Sequence, residues 1–134
     1  MKKISEIEGI GSNYAARLQQ AGIQHVETLI EKCASPQGRM EVAKTADINP
    51  KLILRWVNMA DLFRVKGIGE EYADLLEAAG VDTIPELGQR KPENLHKKLE
   101  EVNLDKKLVR KVPSLAEVSN WIEQAKELPR KVTY

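Results

Sequence analysis

Gly9-Ile10-Gly11 recurs as Gly67-Ile68-Gly69, 58 positions further on, and the residues behind it recur in register. Tyr14 matches Tyr72, Ala15 matches Ala73, Leu18 matches Leu76, and Ala21-Gly22 matches Ala79-Gly80. Ile23, Val26 and Leu29 match Val81, Ile84 and Leu87. After a gap, Trp56-Val57 pairs with Trp121-Ile122 and Ala60 with Ala125. One Gly-x-Gly is a weak signal. Two copies, each followed by the same apolar pattern, indicate an internal repeat, so the two halves are expected to share one plan.

That plan is helical. Behind Gly11, Tyr14, Ala15, Leu18 and Ala21 fall on one helical face, which predicts a helix from about Ser12 to Ala21. Gly22 stops it, because glycine takes a left-handed C-terminal position at little cost. The second copy predicts a helix over 70–79 with Gly80 as its stop. Shorter helices follow through Val26-Leu29-Ile30 and Ile84-Leu87. Ser35-Pro36, Asn49-Pro50 and Lys91-Pro92 read as further starts, proline being tolerated where its missing N–H costs nothing. The helix from Pro50 places Leu52, Ile53, Trp56, Val57, Ala60 and Phe63 on one stripe. Ser114 with Glu117 reads as a capping box and opens a last helix with Leu115, Val118, Trp121, Ile122, Ala125 and Leu128 facing inward. No sustained alternation of β-branched residues is present, so no sheet is expected.

These residues resemble the helix-hairpin-helix superfamily, in which two short helices flank a tight bend of two glycines alternating with apolar residues. Here that is Ile7-Glu8-Gly9-Ile10-Gly11 with Ala15, and Val65-Lys66-Gly67-Ile68-Gly69 with Ala73. The whole chain resembles uncharacterised bacterial proteins built from two such units. The resemblance implies an all-α fold, two tandem repeats of short helices packed into one compact body, divided as residues 1–63 and 64–134. Ala46-Asp47-Ile48-Asn49 and Val102-Asn103-Leu104-Asp105 sit where each repeat could hold a second hairpin lacking glycine. The resemblance also implies that DNA-binding members grip the sugar-phosphate backbone at the hairpin, and that a monovalent cation can sit on hairpin carbonyls. No other cofactor and no metal is expected.

The physics of the bend allows a ligand. N–H groups at a helix start have no intrahelical partner, and the helix dipole favours an anion there. Ile10 and Ile68 would be apolar pegs into the core. The competing reading is that the glycines serve packing alone, with Gly67, Ile68 and Gly69 purely structural. Local charge separates the two copies. Ser12 and Asn13 follow the first bend, with Lys2, Lys3 and Arg17 near; Glu70-Glu71 follow the second and would repel phosphate. If one bend binds nucleic acid it is the first, through Gly9, Gly11, Ser12, Asn13 and Arg17.

Charge elsewhere is uneven. Residues 67–89 hold six carboxylates and no Lys or Arg, whereas residues 90–111 hold eight basic residues against four acidic. Lys106, Lys107, Arg110 and Lys111 are the densest cluster. On one helix they would form like-charged i,i+4 pairs, a mild destabilisation that hints at an anionic partner; the bland alternative is a solvated face. The net charge of +1 advertises neither nucleic acid nor a membrane. No apolar run approaches the roughly 20 residues of a membrane span, and no secretory leader is evident, so a soluble cytoplasmic protein is expected. With one cysteine, Cys33, no internal disulfide forms, and Cys33 is expected to be buried. His25 and His96 lack partners at metal spacing. Trp56 and Trp121 are expected to anchor the core. No nucleophile–base pair or phosphate loop stands out, so no enzyme activity and no small-molecule substrate are expected. Two functions remain: a non-catalytic module that binds DNA or RNA backbone weakly and without sequence preference, or a module for docking a protein partner or a second copy.

Overall fold

The computed structural model describes residues 2–134. Among them the backbone forms eight α-helices and one 3-10 helix, Ile4–Glu6, with no strand; an isolated bridge joins Lys3 and His25. The fold is all-α. The chain divides into two units, one made of the residues up to Asp61 together with Lys131–Tyr134, the other running from Leu62 to Arg130. The first holds α1 (Gly11–Gln20), α2 (Val26–Cys33), α3 (Pro36–Ala46) and α4 (Pro50–Leu62), whose last residue opens the second unit. The second holds α5 (Glu70–Ala78), α6 (Ile84–Gln89), α7 (Pro92–Lys106) and α8 (Leu115–Glu127).

Local chemistry sets most of these limits. Ser35 Oγ accepts from the Gly38 N–H at 3.0 Å and opens α3, and Asn49 Oδ1 accepts from the Lys51 N–H at 2.9 Å and opens α4. Thr83 caps α6 at 3.2 Å, and Ser114 and Glu117 close a reciprocal box on α8 at 3.1 Å each way. The Ser114 backbone N–H, and after it the Ser114 hydroxyl, hold the exposed Glu117 carboxyl below its usual range. At the other ends, the Gly22 N–H reaches Gln19 O and the Ile23 N–H reaches Leu18 O, both at 2.9 Å. Gly80 and Val81 do the same at 2.9 and 2.8 Å, a glycine stop that satisfies carbonyls left open by the helix.

Within unit 1, α4 buries Ile53, Trp56, Val57 and Ala60. Leu52 is half-buried, and so is Phe63, which lies past the helix end. Within unit 2, α8 buries Val118, Trp121, Ile122 and Ala125. Leu115 was expected inward but is 42% exposed. It lies in a first turn whose open N–H groups are met by the turn's own capping box rather than by packing.

Two turns without glycine complete the helical order. Asp47 is left-handed (φ 55°) between α3 and α4; buried Ile48 follows, its N–H on Ala43 O at 3.0 Å. Residues 46–49 therefore form a tight bend. Residues 102–105 do not: α7 runs through them, and the left-handed residue is Lys107 (φ 52°).

The final residues belong to unit 1. The Thr133 N–H donates to Ala34 O at 2.7 Å, Thr133 O accepts from Arg39 at 2.8 Å, and the Tyr134 hydroxyl donates to Asn58 at 2.9 Å. Arg39, 6% exposed, also donates to Cys33 O and Ala34 O at 3.0 and 3.1 Å. These carbonyls lie at the negative end of α2, where a cation is favoured. Cys33 is fully buried, and that burial pushes its thiol up to about 11, partly offset by Arg39 and then Lys32.

Candidate functional site

The two Gly-Ile-Gly bends share a frame. In the first, the Ile7 N–H reaches Ile4 O at 3.0 Å and the Ile10 N–H reaches Ile7 O at 3.3 Å. In the second, Val65 and Ile68 repeat this on Leu62 and Val65 at 3.1 and 3.2 Å. Ile7, Ile10, Val65 and Ile68 are all buried, so the apolar residues of the motif act as pegs. Behind each bend a tyrosine meets a tryptophan, Tyr14 on Trp56 at 5.1 Å and Tyr72 on Trp121 at 5.2 Å between ring centroids, tilted 59° and 53°. Such pairs add about 0.5–1.5 kcal/mol beyond burial. Both tryptophans are core anchors, 1% and 2% exposed.

The first glycine of each bend is required twice over. Gly9 and Gly67 have φ of 92° and 101°, outside the range that side chains adopt readily. Each also lies against the tryptophan behind it. A Cβ on Gly67 would stand 2.9 Å from Trp121 Nε1; one on Gly9 would stand 3.2 Å from Arg55 Nη1 and 4.0 Å from Trp56 Nε1.

From there the bends diverge. Gly11 is left-handed (φ 64°) and is itself the first residue of α1, one position earlier than expected, with Ile10 as N-cap and no side chain capping the helix. Gly69 has φ −104°, open to any residue, and is the N-cap of α5, which begins with Glu70 and Glu71. In the second bend, Gln124 of α8 takes both main-chain groups of Lys66, accepting from its N–H at 2.8 Å and donating to its carbonyl at 3.0 Å. Asn120 accepts from the same Gln124 amide at 2.7 Å. With Trp56 matched to Trp121, Met59 stands in unit 1 where Gln124 stands in unit 2, and Arg55 stands where Asn120 does. The matching positions in unit 1 thus carry a thioether and a guanidinium in place of two amides.

Of the five residues singled out at the first bend, four lie at the bend and the start of α1, and Arg17 turns toward the α3–α4 turn. Gly9, Gly11, Ser12 and Asn13 are exposed and follow one another into α1. Arg17, half-buried, lies over Tyr14 (5.7 Å to the ring centre) and donates to Asp47 O at 3.0 Å; one hand of its guanidinium ties down the α3–α4 turn. At the second bend the field is negative. Burial, then the Glu117 and Glu71 carboxylates, push the Tyr72 phenol upward, and its hydroxyl donates to Lys111 O at 3.1 Å.

Lys106, Lys107, Arg110 and Lys111 are exposed, but they do not share a helix. α7 ends at Lys106 and Lys107 turns left-handed. Asn103 then holds the following loop by accepting from the Val109 N–H at 3.0 Å and donating to the Val109 carbonyl at 3.1 Å. The expected i,i+4 repulsion is therefore absent. Two lysines sit instead at a helix C-terminus, where the dipole favours them. His25 is the N-cap position of α2, and His96 lies 3.4 Å from Glu100. Among the described residues no three His, Cys, Asp or Glu side chains gather as a metal would need, and no helix is long and apolar enough to cross a membrane.

Sequence reasoning passed over Arg55 and Gln124. Both were findable: aligning the tryptophans places Arg55 against Asn120 and Met59 against Gln124, one and three positions from the best-matched residues of the two helices.

The chain belongs to the family described as Domain of unknown function (DUF4332), whose model matches residues 8–128. No curated protein and no solved structure matches the chain.

Proposed function

We propose that this member of a family without an assigned activity is a non-catalytic module of the helix-hairpin-helix kind. It would hold the backbone of DNA or RNA weakly and without sequence preference, through the first bend. The observation that carries this reading is the uncapped start of α1. Gly11, Ser12 and Asn13 are exposed, no side chain caps the helix, and Gly11 keeps its Cα bare toward solvent. N–H groups so placed favour a phosphate oxygen. The exposed turn Lys106–Lys111 supplies a separate, purely electrostatic contact. The second bend takes no part: its main chain is engaged by Gln124 and its helix starts with two carboxylates.

The test is fluorescence anisotropy with duplex and single-stranded DNA of unrelated sequences across a salt series. Dissociation constants on the order of 10–100 µM near physiological salt are expected, equal across sequences and weakening steeply with salt. Gly11→Asp, which places a carboxylate at the helix start, should weaken binding at least tenfold; equal binding by the two proteins would sink the reading. A docking module is the second reading, favoured by the acidic first turn of α5 and the near-neutral net charge. A salt-dependent rise in mass by light scattering, with no DNA affinity, would select it.

A further inference from the structure

We infer that the first bend is half of an anion site whose other half is Arg55 with the indole N–H of Trp56, and that the group it takes is a phosphate oxygen. This rests on the reading above and names the residues that distinguish the first bend from the second.

Two donors on α4 converge at one exposed main-chain position. Arg55 Nη1 and Trp56 Nε1 are the atoms nearest to where a side chain on Gly9 would begin, at 3.2 and 4.0 Å. Trp56 is 1% exposed and its Nε1 is buried with no hydrogen-bond partner. A buried N–H without an acceptor is costly, and an acceptor that comes from outside the chain, as an ion or a water, relieves that cost. Gly9, having no Cβ, sets no side chain of its own against these two donors. The N–H groups of Gly11, Ser12 and Asn13 begin two residues later on the same bend. A guanidinium, an indole N–H and helix-start amides all donate and accept nothing. Such a set suits an oxyanion and disfavours a metal cation, so at this bend the Arg55 guanidinium supplies the positive charge that a bound ion would otherwise bring. In unit 2, an uncharged Asn120 occupies the matching position, and its amide oxygen accepts from Gln124. The carboxylates of Glu70 and Glu71 stand where Ser12 and Asn13 do.

The experiment follows the two indole N–H signals in proton–nitrogen NMR spectra, assigned with Trp121→Phe, while wild-type protein is titrated with inorganic phosphate and, separately, with a short DNA duplex. The Trp56 signal should move downfield with both as its proton gains an acceptor, and the Trp121 signal should stay. Arg55→Gln should lower DNA affinity roughly tenfold and reduce the slope of log affinity against log salt by about one, with the variant still folded at the assay temperature by its melting curve. Arg55→Lys should restore the slope. DNA binding that is weakened by Gly11→Asp, yet indifferent to Arg55→Gln and silent at Trp56, would overturn this inference and leave the bend's amides as the contact. A Trp56 signal that moves with phosphate, is lost in Arg55→Gln, and ignores DNA would keep the anion site and remove nucleic acid as its ligand. A Trp56 signal that moves with neither ligand overturns the site.

Discussion

The two bends begin from the same three residues and are put to different use. Up to Gly9 and Gly67 they share hydrogen bonds, buried pegs and a tyrosine–tryptophan pair. Past that point one is closed and the other is open. Gln124 occupies the main chain of the second bend, and Glu70 and Glu71 charge its helix against anions; neither helix has a side-chain cap, but α1 starts with Ser12 and Asn13, and Arg55 leans on Gly9. A motif matched letter for letter therefore fixes the turn but not its use. The use is decided by the residues just past the bend and by residues on the last helix of each unit, more than forty positions away in sequence.

The largest effect that tests this contrast is on stability. Gly67→Ala sets a Cβ 2.9 Å from the rigid Trp121 ring at φ 101°, combining backbone strain with overpacking. It should cost roughly 3–5 kcal/mol. Gly9→Ala meets chiefly the end of a flexible arginine and should cost roughly 1–3 kcal/mol, mostly strain. Urea unfolding followed by the amide signals of each unit separates the two. Equal costs would show that the tryptophan contact does not set the difference.

The second glycines should differ in the opposite direction and with smaller numbers. Gly11→Ala carries a left-handed Ala and should lose about 1 kcal/mol. Gly69→Ser adds a helix cap at an extended position and should gain a few tenths of a kcal/mol. A loss at Gly69 as large as that at Gly11 would mean that the two bends are less different than their dihedrals indicate.

A pH series extends the contrast to the units. Cys33 lies in unit 1, and its thiol is raised from about 9 to about 11 by burial. The unfolded chain releases that proton first, so stability from this group is intact below about pH 9 and falls between about pH 9 and 11. Wild type minus Cys33→Ala should show this decline in unit 1 signals and none in unit 2. A flat difference curve would show that the thiol is not buried in solution.

What could be read from the sequence was what is local. Ser35, Asn49, Thr83 and Ser114 cap helices through their own neighbours, and Gly22 and Gly80 end them within one turn. The apolar pegs and the tryptophans were legible because helical spacing alone puts them on one face. What stayed hidden depends on long-range contact. Arg39 looks like a surface arginine on α3 until Thr133 comes to it from 94 positions away. Arg17 was expected at a nucleic-acid contact, but one of its donors is committed to Asp47 O, 30 positions on. The basic cluster was misread because a run of lysines after a helical pattern carries no stop signal. The stop comes from Asn103 gripping Val109, a side-chain bond with no spacing rule.

The smallest predicted effect lies in the paired turns that lack glycine. Asp47 and Lys107 are both left-handed, at φ 55° and 52°, after α3 and α7. Aspartate is enriched there because its short polar side chain bonds locally, whereas lysine gains nothing from the conformation. Lys107→Gly should therefore relieve strain and stabilise unit 2 by about 0.5 kcal/mol after the added freedom of the unfolded chain is counted, whereas Asp47→Gly should leave unit 1 within about 0.5 kcal/mol of wild type. Thermal melts resolved by unit can tell these apart. The Lys107 change also removes one exposed cation, so any DNA affinity contributed by the Lys106–Lys111 turn should drop slightly while stability rises. Opposite signs in the two readouts from one substitution would separate what that turn does for the fold from what it does for binding. A fall in both would tie the lysine side chain itself to the packing of unit 2.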